Sequence, residues 1–105
     1  MTDLKQYESI EMPQIGDYIA LSTADVNKDD SDSDIKIIYK IIKAKLWTDY
    51  VMFELQYIYN ISSYYVNKIP HYFWLQIQND ELYKFMSAKT KEELEMKLDA
   101  KKYNI

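Results

Sequence analysis

"IKIIYKIIKAKLW" (residues 35–47) decides how this chain folds. Read as a strand, Ile35, Ile37, Tyr39 and Ile41 face one way, with Lys36 and Lys40 opposite. The alternation then slips, because Lys43 and Lys45 share the parity of Ile41. One extra residue near Ile41–Ile42, a β-bulge, returns all four lysines to one wet face. Read as a helix, Lys36, Lys40 and Lys43 also align, at i, i+4 and i+7. Isoleucine fills five of the eight positions 35–42, and branched side chains lose rotamer freedom in a helix. The segment therefore reads as a strand, with the helix as the alternative.

The neighbouring segments support a sheet. Thr48-Asp49 makes a turn into "YVMFELQYIY" (50–59), where Val51, Phe53, Leu55, Tyr57 and Tyr59 share a face opposite Glu54 and Gln56. That alternation is the cleanest in the chain and marks half of a hairpin. Upstream, Gly16-Asp17 turns into a strand over 17–23. Downstream, "SSYYVNKI" (62–69) reads as a short strand stopped by Pro70, which lacks a ladder donor. "YFWLQIQ" (72–78) follows, with Phe73, Leu75 and Ile77 inward and Tyr72, Trp74, Gln76 and Gln78 outward.

Beyond Asn79 the period changes. "NDELYKFMSA" offers Asn79 or Asp80 as a cap and sets Leu82, Phe85 and Met86 on one helical face. In "TKEELEMKLDAKKY" a Thr90–Glu93 capping box, acids in the first turn, lysines in the last and a Leu94/Leu98 pair predict a helix. Two short helices are expected, over about 80–88 and 91–102. The fold class is α+β: an antiparallel sheet of about five strands carrying two short C-terminal helices. Closure into a small SH3-like barrel stays open as a variant, since a Gly-Asp turn into the first strand is common in such barrels. The chain reads as a single globular domain over 1–105, with an unassigned segment at 1–14, a mainly β part at 15–78 and a helical part at 79–105.

With 105 residues, 48% hydrophobic and 15% aromatic, the chain can build one core but not two comfortable ones. No apolar run approaches the roughly 20 residues of a membrane-spanning helix. No signal-peptide pattern opens the sequence, so a cytoplasmic protein is expected. There are no cysteines, which removes disulfides, thiolate nucleophiles and cysteine zinc sites. All 13 basic residues are lysine. Without arginine, the usual bidentate reader of phosphate and guanine is missing. Abundant Lys, Ile, Asn and Tyr without Arg also fits an AT-rich coding sequence of a kind common in small phages and bacteria.

Charge is uneven along the chain. Residues 1–34 carry Asp3, Glu8, Glu11, Asp17, Asp25, Asp29, Asp30, Asp32 and Asp34 against Lys5 and Lys28, a balance of −7 within a total of −4. Residues 35–78 balance at +3 and the remainder at zero. An acidic first third repels nucleic acid and attracts a basic partner surface. Its densest point is "VNKDDSDSDIK" (26–36), where Asp29, Asp30, Asp32 and Asp34 crowd six positions. A calcium loop starting at Asp25 fails, because Asp30 stands where glycine is needed and Lys36 where a bidentate glutamate is needed. What stays is an exposed connection, or a patch that imitates the phosphates of a nucleic acid.

Two further candidates remain. Tyr72 and Trp74 either lie beneath the C-terminal helices, the simpler expectation, or form an exposed pair for a protein partner or for stacked bases. The row Lys36, Lys40, Lys43 and Lys45 is either a solvated face or a phosphate contact. Catalysis has no set to work with: His71 is the single histidine, and no nucleophile context surrounds Ser62 or Ser63. No metal site and no cofactor is expected. The expectation is a small acidic, non-enzymatic binding protein, a monomer or homodimer, that contacts an unidentified protein with a basic surface. A phage-type inhibitor occupying a nucleic-acid-binding surface of a host protein fits this description. The alternative is a small-barrel nucleic-acid-binding module using the lysines and Tyr72 and Trp74.

Overall fold

The isoleucine-rich segment is a strand. In the computed structural model, which describes residues 12–27, 31, 35–61 and 69–103 but not the side chains of Lys36 and 101–103, β2 spans Ile35–Leu46 and pairs antiparallel with β3, Tyr50–Asn60. The two strands join through Thr48-Asp49, and the Trp47 N–H donates to the Tyr50 carbonyl at 2.9 Å. Ile41 pairs with Leu55 and Lys43 with Glu54, so Ile42 is the extra residue. The bulge stands where the slipped alternation demanded it. A second irregularity, between Ile38 and Tyr39, inserts Ile58 into β3.

β1, Tyr18–Ser22, pairs antiparallel with β2, and β4, Tyr72–Gln78, with β3. A four-residue turn of helix, α1 (Thr23–Val26), follows β1. It is closed by a capping box in which Ser22 Oγ accepts from Asp25 N–H and Asp25 Oδ2 accepts from Ser22 N–H. The turn into β1 is built by Gly16. The Asp17 N–H donates to the Gln14 carbonyl, Gly16 holds φ +96, and its own N–H donates to the Ile41 carbonyl at 2.8 Å. The space around Gly16 is open, so the left-handed backbone is what demands glycine here.

After β4 a 3-10 turn (Asn79–Lys84) carries the chain to the far edge of the sheet, where β5, Met86–Ala88, pairs with β1. Helix α2, Lys91–Tyr103, ends the described chain. The result is an α+β domain with a five-stranded antiparallel sheet of order β4-β3-β2-β1-β5. β4 and β5 are its two edges and do not pair with each other. The sheet is open, and the SH3-like barrel considered as a variant is not formed.

Two clusters hold the sheet. Ile19, Leu21, Ile37, Tyr39, Ile41, Val51, Phe53, Leu55 and Ile77 form one apolar face, with Leu82 of the 3-10 turn and Phe85, Val26 and Ile69 packed on it. On the other face Ala20, Ile38, Ala88 and Leu94 form a smaller cluster, flanked by Tyr18, Ile58, Tyr59, Met86 and Leu98. This second cluster is where α2 docks, over β5 and β1. The α2 start is fixed locally: Thr90 Oγ1 accepts from Glu93 N–H at 3.1 Å, while the Glu93 carboxylate accepts from Lys89 N–H rather than closing back on Thr90. Lys97 Nζ donates to the Ser87 carbonyl, and Lys89 Nζ lies 3.4 Å from Asp17 Oδ1.

The helix expected over about 80–88 is corrected. Residues 79–84 form the 3-10 turn and 86–88 are strand. Leu82, Phe85 and Met86 do have helical spacing, but Leu82 and Phe85 pack into the large core while Met86 turns to the smaller one. Three residues show no readable period of two, and the unpaired edge of β1 supplies the backbone partners that extend them. The strand expected over 62–69 falls on residues 62–68, outside those described; Ile69 is described and belongs to no strand. β5 therefore takes the fifth place in the sheet.

Candidate functional site: an open sheet face

Register and alternation place Tyr18, Lys40, Gln56 and Tyr72 in one row across the face opposite the large core. The next row holds Lys43, Glu54 and Trp74, and the one after it Lys45, Met52 and Gln76. At the hairpin end Tyr50 pairs with Gln78, and Trp47 stacks on Tyr50 with ring centroids 4.9 Å apart and planes 11° apart. Ile42 makes this arrangement. By bulging out, it brings Lys43 and Lys45 onto the side of Lys40 and sends Ala44 toward the core.

Contacts bind the face together without burying it. Lys45 Nζ lies 5.3 Å from the centre of the Trp74 ring and Lys40 Nζ 5.7 Å from that of Tyr18. An ammonium over an aromatic face at such distances is attracted by the ring quadrupole, by about 0.5–1 kcal/mol where water has access. Lys43 Nζ stands 3.8 Å from Glu54 Oε1, and Gln56 Nε2 donates to Tyr72 Oη at 3.4 Å. Among the described residues, three lysines on this face thus meet one carboxylate. Tyr72 is 57% exposed, Trp74 40% and Trp47 45%.

The expectation that Tyr72 and Trp74 lie under the C-terminal helices is corrected. α2 rests on β5 and β1, the far side of the sheet from β4, because its apolar residues Leu94 and Leu98 meet Ala20, Ile38 and Ala88 there. Small residues on β1 and β5 allow a helix to approach closely; Trp74 and the lysines on the other half do not. Of the lysine row, Lys40, Lys43 and Lys45 stand on the open face together with the aromatic pair. The Lys36 side chain lies outside what is described, as do Asp29, Asp30, Asp32 and Asp34.

The sequence reading overlooked Trp47 and Tyr50. A signal existed, since a two-residue turn at Thr48-Asp49 makes positions 47 and 50 direct neighbours. Asn79 locks that end of the hairpin: its N–H donates to the Asp49 carbonyl and its Nδ2 to the Thr48 carbonyl, both at 2.9 Å.

Other polar groups have structural work. The Tyr39 hydroxyl donates to the Pro70 carbonyl at 3.0 Å, and burial, with Tyr57 adding to it, pushes its phenol well above the ordinary range. His71 is exposed and meets the Tyr57 ring edge-on, while its carbonyl accepts from the Tyr57 N–H at 2.7 Å. Among the described residues, no three His, Asp or Glu side chains gather as metal ligands, and no helix is long and apolar enough to cross a membrane. Comparison of the chain with protein-family models, with curated proteins and with solved structures gives no significant match, so its own residues carry the functional argument.

Proposed function

We propose that this chain is a small non-enzymatic binding domain and that the open sheet face is its contact surface. One observation carries the reading: α2 covers the β5–β1 half of the face, while Tyr72 and Trp74 stay exposed beside Lys45 on the other half. Exposed aromatic rings framed by long polar side chains are the side chains that interfaces reuse as anchors. Their position on a strand rather than a loop keeps them ordered before any partner arrives, which lowers the entropy cost of binding. The test is positional. A photo-crosslinking residue at Gln76, in the middle of this face, should capture a partner in the producing cell, and Tyr72→Ala should abolish the product. The same residue at Met96, 70% exposed on α2, should capture none. Equal capture at both positions, or none at Gln76, refutes the reading.

A second reading follows from the balance of −7 in residues 1–34. Here the protein is an inhibitor that presents Asp29, Asp30, Asp32 and Asp34 to a basic, nucleic-acid-binding surface of another protein in the cytoplasm, as a phage-type accessory protein would. Pull-downs with the four aspartates changed to asparagine test it: partner recovery unchanged at low salt removes it.

A further inference from the structure

We infer that the occupant of the open sheet face is a single-stranded nucleic acid, whose bases stack on Tyr72 and Trp74 and whose phosphates are met by Lys40 and Lys45. The inference rests on the reading of this face as the contact surface and names its partner.

Three observations on that face fit this chemistry together. The first is the rings: Tyr72 and Trp74 are alternate residues of β4 on one side, about 7 Å apart by strand rise, and both are exposed. The Trp47–Tyr50 stack continues the aromatic surface at the hairpin end. Exposed rings accept any base, because every base offers a π-face. The second is charge: Lys40, Lys43 and Lys45 lie on β2, two strands from β4, with Glu54 as the acid between them. Two strand spacings amount to roughly 10 Å, so bases over β4 leave their backbone within reach of flexible lysine ammonium groups. The third is the kind of cation: with no arginine in the chain, bidentate reading of phosphate or guanine is missing and the face offers lysine alone. Lysines meet phosphates as point charges and do not read bases, which fits sequence-tolerant contact with a single strand. A duplex keeps its bases stacked inside and offers these rings nothing.

Net charge of −4 does not forbid this. Screening at physiological salt acts over about 8 Å. The nearest charges therefore weigh most, and among the described residues those on the face are Lys40, Lys43 and Lys45 against Glu54. An acidic protein segment would use the lysines but would leave the rings unused, which is why the nucleic acid is favoured.

The test is fluorescence polarisation with labelled oligothymidylate and oligouridylate of equal length, over a salt series. A labelled oligoglutamate peptide of the same length serves as a polyanion without bases. Binding of an oligonucleotide is expected, with log K falling against log salt at a slope of about −1.4 to −2.1 for two to three neutralised phosphates. Tyr72→Ala and Trp74→Ala should each weaken it by about 5- to 150-fold, the usual loss for one stacked base, with unchanged circular dichroism. Lys45→Gln should flatten the slope by about 0.7. No oligonucleotide binding at low salt overturns the inference. So does oligoglutamate binding as tightly as the two oligonucleotides, which assigns the face to acidic protein segments. Equal affinity of wild type and Tyr72→Ala, whose ring is mostly in water, overturns it as well. A crosslink at Gln76 that persists after any of these failures leaves the contact face standing and removes only its nucleic-acid occupant.

Discussion

The two faces of this sheet come from the same strands and obey opposite rules. On one, Ile19, Leu21, Ile37, Tyr39, Ile41, Val51, Phe53 and Leu55 are wholly removed from water. On the other, α2 seals the β5–β1 half over Ala20, Ile38 and Ala88, and the β2–β3–β4 half stays wet, with lysines, glutamines and exposed rings. Alternation along each strand separates the faces. The split within the second face has another cause, since helix docking needs small or apolar residues at the place of contact. A strand-by-strand pattern therefore says which residues point away from the main core, but not which of them a helix will cover.

The contrast makes graded expectations. Phe53→Ala, in the centre of the sealed face, should destabilise the fold by about 3–5 kcal/mol, the range for deleting a buried aromatic side chain, read as a lowered midpoint in chemical denaturation. Leu94→Ala removes the side chain of α2 that is fully buried in the smaller cluster. It should cost about 2–4 kcal/mol and raise hydrogen exchange in α2 and β5 before β2 and β3. A loss spread equally over all strands would show that α2 is integral to both faces.

Tyr39 gives the sealed face a pH signature. Its phenol is held protonated in the fold above the ordinary value of 10.0. A raised value means that its contribution is intact below pH 10 and declines above it, where the unfolded chain releases the proton first. Stability should then fall by about 1.4 kcal/mol per pH unit for this one group. Tyr39→Phe should lower stability near neutral pH by about 1 kcal/mol for the lost bond to Pro70 and flatten the alkaline decline. An unchanged alkaline slope would remove Tyr39 as its source. At the other end of the scale, Tyr72→Ala on the open face should alter stability by less than about 0.5 kcal/mol, as exposed substitutions do, and act on binding instead. A loss well above that would mean that Tyr72 is a packing residue after all.

Much of the sheet was legible in the sequence. The segments 35–46, 50–57 and 72–78 carry their period openly, and even the bulge at Ile42 follows from the lysine parity, because burying Lys43 or Lys45 would be too costly. The bulge at Ile58 did not show, and it turns Tyr59 from the face expected for it, that of Val51, Phe53, Leu55 and Tyr57, to the smaller cluster. The cap at Thr90 and the Leu94/Leu98 pair likewise announce α2. β5 was hidden, since three residues have no measurable period and Leu82, Phe85 and Met86 imitate a helical face. Of the candidate site, the lysines and the aromatic pair were each visible, but as separate features.

What the sequence by itself determined is local: the strands β1 to β4, the bulge at Ile42, how the last helix starts, and that lysine is the chain's cation. Tertiary structure alone decided that Met86–Ala88 completes the sheet, that the sheet stays open, and that Lys45 lies over Trp74 from a strand two places away. The physical reason is range. Period and capping act over a few residues, whereas the partner of a sheet edge and the seat of a helix depend on groups 29 to 72 positions apart, as Lys45 is from Trp74 and Asp17 from Lys89.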